Sequence, residues 1–253
     1  MNAPLAIEFV NVHYRTAANR ELLSDLNLTV THGEILILLG PSGSGKTTTL
    51  KLVNRMLDPT EGQVRVEGRS TLEWDVVSLR RRIGYAIQEG GLFPHYTVFD
   101  NVALVPRLEK WEAARLRGRV AEVMKMVGMP GEEFAGRFPD ELSGGQRQRV
   151  GLARALAADP PMLLMDEPFG ALDPTTRAGL QREFKELQHR LQKTVIFVTH
   201  DVSEALLLAS RIGVVEGGRL RGLYTREEFL MSGDSAVRPY LEAIKTIQAS
   251  LAV

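Results

Sequence analysis

The sequence predicts an α/β protein with a mostly parallel sheet core, an antiparallel β subdomain and an inserted helical lobe. Three observations carry that expectation. Gly40-Pro41-Ser42-Gly43-Ser44-Gly45-Lys46-Thr47 lies between a short apolar run and a helical segment and fits the phosphate-loop pattern. Other short apolar runs, at residues 83–87, 162–165 and 194–199, read as buried parallel strands, each followed by a polar residue. From about 97 to 159 apolar residues such as Val120, Val123, Met124 and Val127 recur at helical spacing instead, broken by Gly128, Pro130 and Gly131.

Composition narrows the class. The chain has 253 residues, 44% hydrophobic and 25% charged, which suits one large soluble domain or a domain with an inserted lobe. Lysine plus arginine equals aspartate plus glutamate, 31 against 31, and this balance argues against a nucleic-acid partner. With no cysteine, disulfides, thiolate metal sites and a cysteine nucleophile are excluded. Residues 1–6 lack the charged-then-apolar pattern of a signal peptide, and no apolar run approaches the ~20 residues of a membrane span. Any membrane role is therefore expected to be peripheral.

In chain order, residues 7–14 and 26–30 alternate apolar and polar, as half-buried antiparallel strands do. Residues 34–39 read as a buried strand and 47–57 as a helix. Residues 58–62 form a turn, and 63–68 alternate as an exposed strand. Arg80, Arg81 and Arg82 read as a solvated face. Ser143 caps a helix running to Ala158, and Pro174 opens a helix over 174–191. A helix over 201–209 follows, then a hairpin around Glu216-Gly217-Gly218, and two short helices beyond Thr225. The methionines of the lobe read as core filler.

The chemistry gathers at strand ends. Gly40, Gly43 and Gly45 are expected to allow positive φ and close approach to a ligand, so that the N–H groups of the loop, which also holds Pro41, Ser42 and Ser44, form an anion nest. The helix start adds further donors, with Thr48 in its first turn. Lys46 can reach β- and γ-phosphates, and the Thr47 hydroxyl can ligate Mg²⁺. Gln88, Asp166-Glu167 and His200 each follow a strand, and in a parallel sheet those ends share the ligand-binding edge. Asp166 suits Mg²⁺ held through water, and Gln88 suits contact with Mg²⁺ or the attacking water. Glu167 suits the base that deprotonates this water, with a magnesium ligand or a salt bridge as the other roles open to it. His200 suits a γ-phosphate contact or a structural strand end. Tyr14 either stacks on a base or packs on the core. His13, His32, His95 and His189 are expected to be ordinary.

Leu142-Ser143-Gly144-Gly145-Gln146, placed between the phosphate loop and the Asp166 strand, resembles the signature of ATP-binding-cassette (ABC) ATPases. The resemblance spans nearly the whole chain. It implies a phosphate-loop NTPase cassette in which Gln88 is the Q-loop, Asp166 and Glu167 the Walker-B pair, Ala171-Leu172-Asp173 the D-loop and His200 the switch histidine. It also favours base stacking for Tyr14. One ABC ATPase domain over 1–253 is expected: an α/β core with its antiparallel β subdomain at about 1–88 and 160–220, a helical lobe at 89–159 and a helical tail at 221–253. The resemblance implies ATP and Mg²⁺ as ligands. It further implies a head-to-tail pair of cassettes, a homodimer or a pairing with a related cassette, in which Ser143, Gly144, Gly145, Gln146 and Asp173 face the partner's nucleotide.

A narrower resemblance, from Arg82-Ile83-Gly84-Tyr85-Ala86-Ile87-Gln88 through Gly91-Leu92-Phe93-Pro94-His95 to Asn101-Val102-Ala103-Leu104-Val105-Pro106 and Trp111, is to ATPases of bacterial importers for glycine betaine, carnitine and choline. It implies peripheral attachment at the cytoplasmic face, permease subunits whose coupling helix docks near the Q-loop, and a solute-binding protein. Phe93 and Tyr96 either dock that helix or cover the lobe's own core. Many such ATPases continue into paired CBS domains, which this sequence lacks, and ionic-strength sensing is accordingly not expected of it. Gly170 stands where serine is commoner, with little effect expected. Importers of amino acids or other small polar solutes, non-transport ABC ATPases acting on DNA or ribosomes, and a binding module without turnover are the alternatives. Glu167 and His200 argue against the last.

Overall fold

A computed structural model describes residues 4–88 and 90–251. The chain forms two compact units, one from residues up to Val76 together with those from Thr194 onward, the other Val77–Lys193.

The first unit begins with β1 (Leu5–Arg15), which pairs antiparallel with β2 (Glu21–Thr31). The alternation expected over 7–14 is interrupted: the register shifts between Phe9 and Val12, and Asn11 takes φ 48°. This bulge moves the buried positions from the odd residues Ile7 and Phe9 to the even Val12. β3 (Ile35–Leu39) is buried at every position. α1 (Lys46–Val53) ends earlier than the expected 57. Arg55 turns left-handed at φ 53°, and the N–H groups of Met56 and Leu57 return to the Lys51 carbonyl, closing the helix. β4 (Glu61–Val66) pairs with β1 and is half-buried through Val64 and Val66, not exposed. Glu67 and Gly68, both at positive φ, form a two-residue turn to β5 (Arg69–Ser70), so the strand stops short of Gly68.

The boundary falls at the first residue of α2 (Val76–Arg81), and β6 (Ile83–Ala86) follows in the second unit. Four helices follow: α3 (Val98–Leu108), α4 (Ala113–Met126), α5 (Gly131–Phe134) and α6 (Gly144–Ala157). Their apolar faces meet through buried Val102, Val120, Val123, Met124 and Val150, with Met129 also fully buried. Phe93 is 42% exposed and stands outside that core; its ring meets half-buried Tyr96 at a tilt, centroids 5.6 Å apart, and exposed His95 edge-on at 6.1 Å. Their loop is held by the fully buried Asn101, whose amide accepts from the Phe93 N–H and donates to the carbonyls of Phe93, Tyr96 and Thr97. β7 (Met162–Asp166) then pairs parallel with β6, Ala86 opposite Met165. α7 (Pro174–Leu191) starts as expected, with Asp173 as N-cap and proline in the first turn. The side chain of His189 lies outside the described residues.

The chain returns to the first unit with β8 (Thr194–Thr199), parallel to β3, and α8 (Val202–Leu208). β9 (Arg211–Glu216) lies parallel on the other side of β3 and turns through Gly217 and Gly218 into antiparallel β10 (Arg219–Thr225). α9 (Arg226–Met231) and α10 (Arg238–Leu251) complete it. Glu34, 6% exposed, accepts the Thr31 N–H and hydroxyl and pairs bidentately with Arg211 at 2.5 and 2.8 Å. Arg211 also donates to the Thr29 carbonyl, tying β2, β3 and β9 at one end. Arg211→Met leaves the Glu34 charge buried and is expected to lower stability by about 3 kcal/mol, read as a lower urea midpoint.

Candidate functional site

In the first unit, β3 delivers the chain into the glycine loop, and β8, in register with it, pairs Thr199 with Leu39. His200 and Gly40 thus leave adjacent parallel strands at the same end, as the strand reading expected. His200 is exposed, and behind it the Thr199 hydroxyl donates to Glu204 at 2.6 Å and accepts the Asp201 N–H.

The glycines of the loop have different causes. Gly43 (φ 77°) and Gly45 (φ 105°) are left-handed, but Gly40 is not. This corrects the expectation for Gly40: a Cβ there would run into the Val215 carbonyl of β9, so close approach, not φ, excludes a side chain. At Gly45 a Cβ would lie 2.7 Å from Leu23 Cδ2 and 2.9 Å from the Leu22 carbonyl. Leu23 is the strand partner of Tyr14, which is half-buried, so β1 and the loop meet through β2. Lys46, 5% exposed, donates through Nζ to the carbonyls of Gly40 and Pro41 at 2.7 and 2.8 Å and is held across the loop's interior. Thr47 and Thr48 follow in the first turn of α1. Sequence reasoning missed one brace: the Gly218 N–H of the β9–β10 hairpin donates to the Ser44 carbonyl, and its carbonyl accepts the Ser24 N–H.

In the second unit, β7 ends in Asp166, 4% exposed, with half-buried Glu167 next. Burial, then the charge of Asp166, holds the phenol of Tyr85 on neighbouring β6 above its ordinary pKa. Glu167 is left-handed at φ 46°, and its carbonyl accepts the Gly170 N–H at 3.1 Å, closing a turn with Pro168 at its second position. A Cβ at Gly170 would meet that carbonyl only at 3.5 Å, ordinary contact, so serine fits there as well. β6 stops at Ala86, so Gln88 is two residues past the strand in an exposed turn, not directly at its end. Beyond it, Arg154 of α6 donates to the carbonyls of Gly90 and Gly91, both at 2.9 Å. This anchor was not legible in the sequence.

Ser143 is the N-cap of α6: its hydroxyl accepts the Gln146 N–H, and the Gln146 side chain accepts the Ser143 N–H at 2.8 Å. Ser143 and Gly144 are exposed, so the positive end of the helix dipole at this start faces outward, where an anion is favoured. A Cβ at Gly145 would lie 3.3 Å from the Ala171 carbonyl, so the signature packs on the D-loop. The Thr176 N–H bonds the exposed Asp173 carboxylate and holds it below the usual carboxylate range.

Among the described residues no group of three or more His, Cys, Asp or Glu side chains could hold a metal by itself. The Thr47 hydroxyl in the first unit and the Asp166 carboxylate in the second are each a single hard oxygen donor, the kind that suits Mg²⁺ held mainly by phosphate oxygens. No helix among the described residues is long and apolar enough to cross a membrane.

A buried lysine braced inside a glycine loop at a parallel strand end defines the phosphate-loop class of nucleotide-binding protein. The chain belongs to the ABC transporter family, which residues 23–170 match. The choline transport ATP-binding protein OpuBA of Bacillus subtilis (strain 168) is 46% identical over 97% of this chain and 64% of that protein. The glycine betaine/carnitine/choline transport ATP-binding protein OpuCA of the same strain is 48% identical over 89% of this chain and 59% of that protein. The chain therefore spans about three-fifths of the length of these curated relatives, 64% and 59%. The dimeric post-hydrolysis structure of the ATP-binding cassette MJ0796 bound to ADP and Pi is 35% identical, with TM-score 0.80, covering 87% of this chain and 98% of that one.

Proposed function

We propose that this chain is the ATP-hydrolysing subunit of a binding-protein-dependent importer that takes up quaternary-amine osmoprotectants such as glycine betaine, carnitine and choline. The observation that carries the reading is the 46% and 48% identity to choline and glycine betaine/carnitine/choline transport subunits across most of the chain. The loop from Gly40 to Thr48 cradles the phosphates through backbone N–H groups and Lys46. Tyr14 stacks on the base. Thr47, Asp166 and Gln88 hold Mg²⁺, which neutralises charge on the phosphates when bound. Glu167 takes the proton of the attacking water, Gln88 orients it, and His200 contacts the γ-phosphate.

Two cassettes pair head to tail, most simply as a homodimer. Ser143, Gly144, Gly145, Gln146 and Asp173 of one subunit then face the nucleotide of the other. The subunit sits peripherally at the cytoplasmic face of the membrane, held by permease subunits whose coupling helix docks near the Q-loop, where exposed Phe93 offers an aromatic surface. A solute-binding protein completes the system. Reconstitution with the permease and binding protein encoded beside it, followed by ATP-driven uptake of glycine betaine, choline and a panel of amino acids, tests this. Betaine or choline uptake that is lost in Lys46→Ala is the expected result. Uptake of an amino acid alone would overturn the solute assignment and leave the ATPase reading standing.

A further inference from the structure

We propose that Gln148 is a positioning residue for Glu167, clamping the turn that carries this carboxylate onto the signature helix. The inference rests on the reading of Glu167 as the base for ATP hydrolysis. Gln148 lies on α6, within the second turn after its Ser143 cap, and is 3% exposed. A buried amide is unfavourable unless both of its ends are bonded, and an apolar side chain of similar volume fills the same space without that demand. Here both ends are used. Nε2 donates to the Glu167 carbonyl at 2.7 Å, and Oε1 accepts the Ala171 N–H at 2.9 Å. One side chain thus spans the turn from the Walker-B carboxylate to the first residue of the D-loop.

The clamp falls where the backbone needs it. Glu167 is held at φ 46°, a region that residues with a Cβ adopt reluctantly. Its carbonyl direction is fixed by two donors, Gly170 N–H at 3.1 Å and the Gln148 amide. With the peptide plane on the C-terminal side of Glu167 held, the Cα–Cβ bond is aimed, which limits the positions the carboxylate can reach through its rotamers. Without Gln148 the Glu167 carbonyl loses one of these two donors and the Ala171 N–H loses its acceptor. Glu167 can then relax toward ordinary φ and swing its carboxylate. α6, which carries the signature at its start, and Glu167 therefore move as one piece, so displacement of the signature reaches the carboxylate directly.

The test is Gln148→Met, near in volume and without the amide, measured for steady-state ATP turnover, nucleotide affinity and thermal unfolding. The expected result is a fall in kcat of about tenfold to a hundredfold, the scale of a small misplacement of a reacting group, with nucleotide affinity unchanged within about twofold. Introduced into Glu167→Gln, the same substitution is expected to lower residual turnover by less than about twofold, because the group it positions is already gone. Wild-type kcat in Gln148→Met, a change confined to the unfolding temperature, or an equal loss in both backgrounds would each overturn the inference. If Gln148→Met does not unfold cooperatively, Gln148→Glu, which keeps an acceptor for the Ala171 N–H and loses the donor to the Glu167 carbonyl, is read by the same criteria. Failure of the underlying reading looks different: Glu167→Gln itself would retain full turnover.

Discussion

Glu167→Gln is expected to lower ATP turnover by ~10²–10⁴, the usual worth of a general base, or roughly 3–5 kcal/mol of barrier. The amide has the size and planarity of the carboxylate, so the half-buried position and the turn through Pro168 and Gly170 are retained. What is lost is the capacity to accept a proton from water. Neighbouring Asp166 cannot substitute: it ends β7, is 4% exposed, and lies against Tyr85, whose phenol its charge affects. The phosphate loop belongs to the other unit of the chain and keeps Lys46 braced on Gly40 and Pro41. Nucleotide binding is therefore expected to survive, and a subunit that binds ATP without consuming it should accumulate as a dimer in MgATP. Steady-state phosphate release and size exclusion with and without MgATP are the two measurements. Wild-type turnover in Glu167→Gln would assign the base to another group.

The parts of this molecule that were legible in the sequence are those fixed by near neighbours. The α6 start was marked by Ser143 as a cap and the α7 start by Pro174 in its first turn, because such signals act within a few positions of the helix end. β3 and β8 were marked by unbroken apolar runs, because strands buried on both faces have no polar side to show. The residue types at the strand ends were legible for the same reason. What stayed hidden depends on partners distant in sequence. Gly40 is glycine because of the Val215 carbonyl, and Ser44 is braced by Gly218, both from the far end of the chain. The bulge at Asn11 lies against Gly62, where a Cβ would meet the Asn11 backbone. Gln148 reads in the sequence as one more polar residue on a basic helix face; only its burial and its two bonds distinguish it.

Ser143→Arg is expected to abolish ATPase activity while leaving ATP binding by the monomer within about twofold of wild type, since a helix N-terminus acts only on charge within its first turn. Ser143 and Gly144 are exposed and belong to the unit that does not hold the phosphate loop, so the first binding event, made by that loop, is expected to be spared. Its structural cost is the cap. Losing the hydroxyl that accepts the Gln146 N–H is worth ~1 kcal/mol, and α6 is held elsewhere by buried Val150, Leu152 and Leu156 and by Arg154 on the Gly90 and Gly91 carbonyls. Its functional cost is steric: a long side chain fills the space in which the helix start would meet a partner's phosphates. Mixing separates this from misfolding. Lys46→Ala and Ser143→Arg are each inactive alone, but a head-to-tail pair of the two contains one site with both groups intact. Random pairing across a two-fold interface is then expected to restore up to about a quarter of wild-type turnover. No recovery in the mixture, with each variant folded and Ser143→Arg still binding ATP, would mean that the signature serves the nucleotide of its own subunit.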